Sequence, residues 1–103
     1  MKVISAFMFA DPDEIELMYA KIVTEDFLVR DWVVVEGSYS FRGDPKPLIL
    51  KQMIMNDKRF KRFLPRIHII EIKENLISDF RYDVRFFIRK QIEIMFRRLF
   101  FSG

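Results

Sequence analysis

The run Trp32-Val33-Val34-Val35-Glu36 limits the fold of this chain more than any other feature. Four large apolar residues in a row, three of them β-branched, leave a strand with no polar face to turn to water. Such a strand has to be covered on both sides, which is the usual situation of a central strand in a parallel sheet with helical crossovers. The preceding segments supply what that arrangement requires. Lys2 to Phe9 is apolar, β-branched and aromatic, and its length suits a buried strand. Asp11-Pro12-Asp13-Glu14 then opens a helix: Asp11 is placed to cap, Pro12 fits the first helical position, and Glu14 stands three residues after the cap as a capping-box partner. Ile15, Met18, Tyr19, Ile22 and Val23 follow at spacings of three and four and form one apolar face.

Beyond Glu36 the chain enters a loop, Gly37 to Pro47, that is richer in glycine, proline and aromatics than a plain connection needs. Residues 48–64 have an uneven apolar pattern that suits helix in part, and Pro65 is expected to break it. Residues 66–73 place isoleucines on both sides of a third strand, with a slip in the alternation between Ile69 and Ile70. After a loop over residues 74–79, Val84, Phe87, Ile88, Ile92, Met95, Phe96 and Leu99 share one stripe of a long amphipathic helix. The order β-α-β-(α)-β-α predicts a three-layer α/β fold with three mainly parallel strands, half of a Rossmann-like architecture. Its 103 residues suit a single domain spanning 1–103.

The chain has no cysteine, so disulfide, thiolate-metal and cysteine-nucleophile chemistry are excluded. The apolar start is too short for a secretory signal or a membrane span, and a cytoplasmic location is expected. The net charge of +3 hides an asymmetry. Residues 1–57 carry six Lys/Arg against ten Asp/Glu, and residues 58–103 carry twelve against five. The second half is thus the side that attracts anions, or else a solvated basic face. Asp57 to Phe63 interleaves cations with aromatics, but Phe60, Phe63 and Leu64 have inward spacing, so a packed element is favoured over a nucleic-acid site. The final helix poses a similar choice between core element and membrane-surface helix, and core is again favoured. Phe100 and Phe101 lie at its end, where most domains are polar, and the ending reads either as cut or as packed against something further.

In open parallel sheets ligands bind beyond the carboxyl ends of the strands. The positions concerned are Phe9 to Asp11, Glu36 to Ser40 and Lys73 to Asn75. Glu36 has two readings: a carboxylate for a ribose hydroxyl or base edge, or a cap for its own loop or a partner of Arg42. Neither GxGxxG nor GxxxxGK[ST] is present, and HExxH and GxSxG are absent too. His68, the single histidine, is favoured as a packed or exposed strand residue over a base or ligand. Asp11 and Asp13 are explained by helix capping, not metal binding.

The loop Phe41-Arg42-Gly43-Asp44-Pro45-Lys46-Pro47-Leu48, directly after Val33 to Ser40, resembles the signature loop of the family 17 glycosyltransferases, the β-1,4-mannosyl-glycoprotein N-acetylglucosaminyltransferase group. FMFADPDEIELM and RFKRFLPRIHII are similar to other stretches of that family in the same order, and Phe87, Arg89 and Ile92 resemble its aromatic-Gln-Arg-x-x-Ile helix. Ile88 stands where that pattern has glutamine, and Lys90 where it often has asparagine. The resemblance implies the amino-terminal half of a nucleotide-diphospho-sugar transferase fold, with its acidic metal-binding motif further downstream. It implies that Glu36 and Phe9 lie near the nucleoside and that Arg89 faces phosphate or acceptor, beside a loop built on Phe41, Gly43, Pro45, Lys46 and Pro47. The implied donor is a nucleotide sugar such as uridine diphosphate N-acetylglucosamine. Manganese is implied by the family only, and this chain alone is expected to bind none and to catalyse no transfer by itself. The alternative expectation is a noncatalytic module that forms a homodimer or partner contact through its last helix.

Overall fold

The computed structural model describes residues 3–40, 43–73 and 84–101, with side chains in the last helix described from Ile88 onward. Three strands, β1 (Ile4–Phe9), β2 (Asp31–Gly37) and β3 (Ile67–Ile72), form one wholly parallel sheet in the order β1-β2-β3. The valine-rich strand is the central one, as its composition requires. Trp32, Val33, Val34 and Val35 are all buried.

Parallel neighbours need long crossovers. The first is α1 (Ile15–Glu25), entered through a 3-10 turn over Pro12–Glu14. The expected capping box is present: the Asp11 carboxylate accepts from the Asp13 amide at 3.0 Å, and Glu14 Oε1 accepts from the Asp11 amide at 2.8 Å. The second crossover contains α2 (Leu50–Asn56) and a 3-10 stretch over Lys58–Arg66. Three residues per turn put Phe60 and Phe63 on the same side of that stretch, and both are buried. Pro65 does not break this element as the sequence predicts; the stretch runs through it to Arg66. The i→i+3 pattern tolerates a missing amide hydrogen near its end better than an α-helix interior does.

Alternation along the strands sends side chains to two layers. Phe9, Trp32 and Val34 join Met18 and Ile22 of α1, Leu50 and Ile54 of α2, and Phe60 and Phe63 in the main core, with Ile67 and Ile69 packed against it. Val35 and Ile72 form the second core, against which Ile70 and, from α3 (Val84–Phe101), Ile88 and Ile92 pack. Helices therefore cover both faces. The expected slip in β3 is absent: pairing runs unbroken from Trp32–Ile67 to Gly37–Ile72. Isoleucines occur on both sides of this strand because both sides are covered.

Ile88 and Ile92 of α3 lie over Val35 and Ile72, near the carboxyl ends of β2 and β3. The end of the helix lies at their amino ends, where Arg30 Nη2 donates to the Leu99 carbonyl at 2.6 Å. A cation on a carbonyl of the last turn complements the helix dipole. Among the described residues no helix is long and apolar enough to cross a membrane.

Candidate functional site

The loop after β2 closes on itself. Tyr39 bridges Pro45, the Ser40 amide donates to the Asp44 carbonyl at 2.8 Å, and the Lys46 amide donates to the Ser38 carbonyl at 2.8 Å. Gly43 turns the loop with φ 87°, a conformation that any β-carbon makes costly. Pro45 and Lys46 thus act through their backbone in a small hairpin, and Pro47 is exposed beyond it. Ser38 ties the hairpin to the end of β3, its amide donating to the Ile72 carbonyl and its hydroxyl to that of Lys73. Phe41 and Arg42 lie outside the described residues, so the Arg42 pairing considered for Glu36 does too.

Glu36 is 0 % exposed. Its carboxylate accepts from the Ile49 amide at 2.9 Å through Oε2 and from the Leu50 amide at 3.2 Å through both oxygens. The reason lies in α2, whose cap position is Ile49, a residue with no side-chain acceptor. First-turn amides need acceptors, and the glutamate from the neighbouring strand supplies them with charge of the favourable sign. Phe9 is buried in the same layer. Glu36 and Phe9 therefore sit on the α1 and α2 side of the sheet and are occupied by the fold.

Arg89 stands on the other side. With Ile88, Ile92, Glu93 and Phe96 of α3 and Met8 of β1 it lines an open groove of about 530 Å³. The groove exists because α3 packs over β2 and β3 and leaves the outer face of β1, one of the two edge strands among the described residues, partly bare. The sheet separates Arg89 from Glu36 and Phe9, three residues that the family resemblance would gather at one ligand.

A second polar cluster, which sequence reasoning did not identify, occupies the amino end of the sheet. Asp31 is buried; its Oδ1 lies 2.9 Å from His68 Nε2, and its Oδ2 pairs with the Arg30 guanidinium. His68 is thus a packed strand histidine with a carboxylate partner. Asp31 and His68 sit diagonally on adjacent strands, so the pair is legible only once the β2–β3 register is known. Burial pushes the Asp31 carboxyl up, but hydrogen bonds from His68 and Arg30 outweigh it and hold the group below the usual carboxylate range. A carboxyl depressed in the folded state adds stability above its unfolded value, about 4, and that stability is lost as pH falls through the lower folded value. Asp31→Asn is accordingly expected to lower stability near neutrality by about 1–3 kcal/mol. It should also flatten the acid limb of a urea-midpoint profile; an unchanged acid limb contradicts this role.

The carboxylates here are spread and internally held, Glu36 on amides and Asp31 on His68 and Arg30. Among the described residues no three Asp, Glu or His side chains gather as a metal site. Fold and groove together define a small parallel α/β unit with a cleft along one edge strand. Comparison with protein-family models, with curated proteins and with solved structures finds no match to the chain.

Proposed function

We propose that this chain is a noncatalytic, nucleotide-sugar-binding half-sheet of the glycosyltransferase type. It takes a ligand such as uridine diphosphate N-acetylglucosamine in the groove between β1 and α3, with Arg89 toward the diphosphate. The observation that carries this reading is the groove, about 530 Å³ and lined by Arg89 and Glu93 among apolar side chains. Its size and composition suit a small-molecule site. Its place also suits one, since Ile88 and Ile92 beside it pack on the strand residues Val35 and Ile72, near the carboxyl ends where ligands of open parallel sheets bind. The loop from Phe41 to Leu48 supports the family assignment by its residues. Glu36 and Phe9 have supporting roles in this reading, holding α2 and the core beneath the loop.

Calorimetric titration with uridine diphosphate N-acetylglucosamine, with and without manganese, tests the proposal. Binding in the millimolar range or tighter is expected, weakened about tenfold or more by Arg89→Ala, because a charge-assisted contact to phosphate is lost. No sugar transfer is expected in either case. Absence of binding at millimolar ligand overturns the reading. A second reading, self-association along α3, is favoured by Ile94 on α3 and Met8 on β1, both large, apolar and exposed. Sedimentation velocity separates the two: a dimer that excludes the ligand supports the second, and a monomer that binds supports the first.

A further inference from the structure

The end of the sheet away from the groove's ligand side carries a different surface. The turn between α1 and β2 is fixed with unusual thoroughness by a single side chain. Arg66 donates to the Asp26 carboxylate at 2.6 Å, to the carbonyls of Asp26 at 3.2 Å and Val29 at 2.5 Å, and to that of Arg30 at 3.1 Å. The same guanidinium lies over the Trp32 ring at 4.6 Å. Yet this rigid turn presents Phe27, 89 % exposed, and Leu28, 55 % exposed, to solvent. Arg30 fastens the end of α3 to the same place through the Leu99 carbonyl, which brings Phe100 and Phe101 there, the latter 88 % exposed. Singly exposed apolar residues are ordinary, but four large ones held at one end of a small domain form a contact surface.

The charges around it select the partner. The nearby carboxylates are occupied: Glu25 by Lys21 and Trp32, Asp26 by Arg66, and Asp31 by Arg30 and His68. Arg97 and Arg98, in the last turns of α3, are exposed and make no ion pair among the described residues. The exposed rings of Phe27 and Phe101, with exposed arginines at the same end, match the boundary of an anionic bilayer, where rings enter the headgroup region and cations meet lipid phosphates. We propose that this end, formed by Phe27, Leu28, Phe100 and Phe101 with Arg97 and Arg98, docks the protein peripherally on anionic lipid. The groove at β1 and α3 is then left open to solvent. This inference does not depend on what the groove binds.

Co-sedimentation of the full chain with phosphatidylcholine vesicles, with and without phosphatidylserine, tests it. Binding to the anionic vesicles, release by high salt and weak binding to neutral ones are expected. Phe27→Ser with Phe101→Ser should weaken binding by about tenfold or more, since each ring is removed from the interface. Arg97→Gln with Arg98→Gln should weaken it by roughly tenfold or more on anionic vesicles and reduce the salt dependence. All four side chains are exposed, so the variants should keep the parent's circular dichroism and melting. Absence of binding, equal binding to neutral vesicles, or parental affinity in both double variants overturns the proposal. So does a dimer that Phe27→Ser with Phe101→Ser dissolves in the absence of any vesicle binding, because the patch would then be covered by a second copy of the chain.

Discussion

Replacing Glu36 by alanine is expected to lower the unfolding free energy by about 3 kcal/mol while leaving ligand binding by the folded fraction intact. The carboxylate is fully buried and accepts from both the Ile49 and Leu50 amides, and no side chain at the cap of α2 can replace it. Truncation leaves two amides in a dry place without an acceptor, at about 1–3 kcal/mol for each unmade bond. Small domains are stable by only about 5–15 kcal/mol, so the loss is a large share of the total. Glu36→Gln keeps one acceptor oxygen but turns an NH2 group toward two donors, and an intermediate loss of about 1–2 kcal/mol is expected. Urea unfolding measures both. A ligand carboxylate would behave in the opposite way, with binding lost and stability kept.

Trp32→Ala should be the most damaging single change, at about 3–5 kcal/mol or more. The side chain is fully buried, meets Phe63 edge-on with ring centroids 5.9 Å apart, and lies beneath Arg66 at 4.6 Å. Its indole NH donates to Glu25 Oε1 at 3.1 Å, so it joins β2 to the end of α1 as well as to the 3-10 stretch. Loss of the ring leaves a cavity and also loosens the turn that Arg66 holds. Trp32→Phe separates these contributions, since it keeps most of the packing and removes the donor; about 1–2 kcal/mol is expected. Equal losses from the two variants, read from urea midpoints, would mean that packing around the ring contributes little.

These two residues show how the sequence could be read and where it could not. Trp32 to Val35 announced a strand covered on both faces, because four adjacent apolar residues admit little else, and the parallel sheet followed from it. Asp11 to Glu14 announced the helix start through local spacing alone, and the structure contains the same two bonds. Glu36 is ambiguous for a physical reason: a carboxylate at a strand end can meet a ligand or a helix amide, and the amides it does meet, those of Ile49 and Leu50, return beside β2 only through the fold. The break expected at Pro65 failed because the rule applies to α-helix interiors, whereas this segment is a 3-10 stretch built on the spacing of Phe60 and Phe63. The isoleucines of β3 suggested a slip because alternation was expected of a strand that needs none. The groove at Arg89 and the cluster of Asp31, His68 and Arg30 depend on which faces α3 and the strands share. No local pattern encodes that.

The central proposal is a ligand-facing surface between β1 and α3 and not at Glu36. Backbone amide NMR during titration with uridine diphosphate N-acetylglucosamine tests it most directly. The account predicts that the largest shifts fall on Met8 and on Arg89, Ile92 and Glu93, while the Ile49 and Leu50 amides, held by Glu36, move little. Large shifts at Ile49 and Leu50 with none along α3 would contradict it.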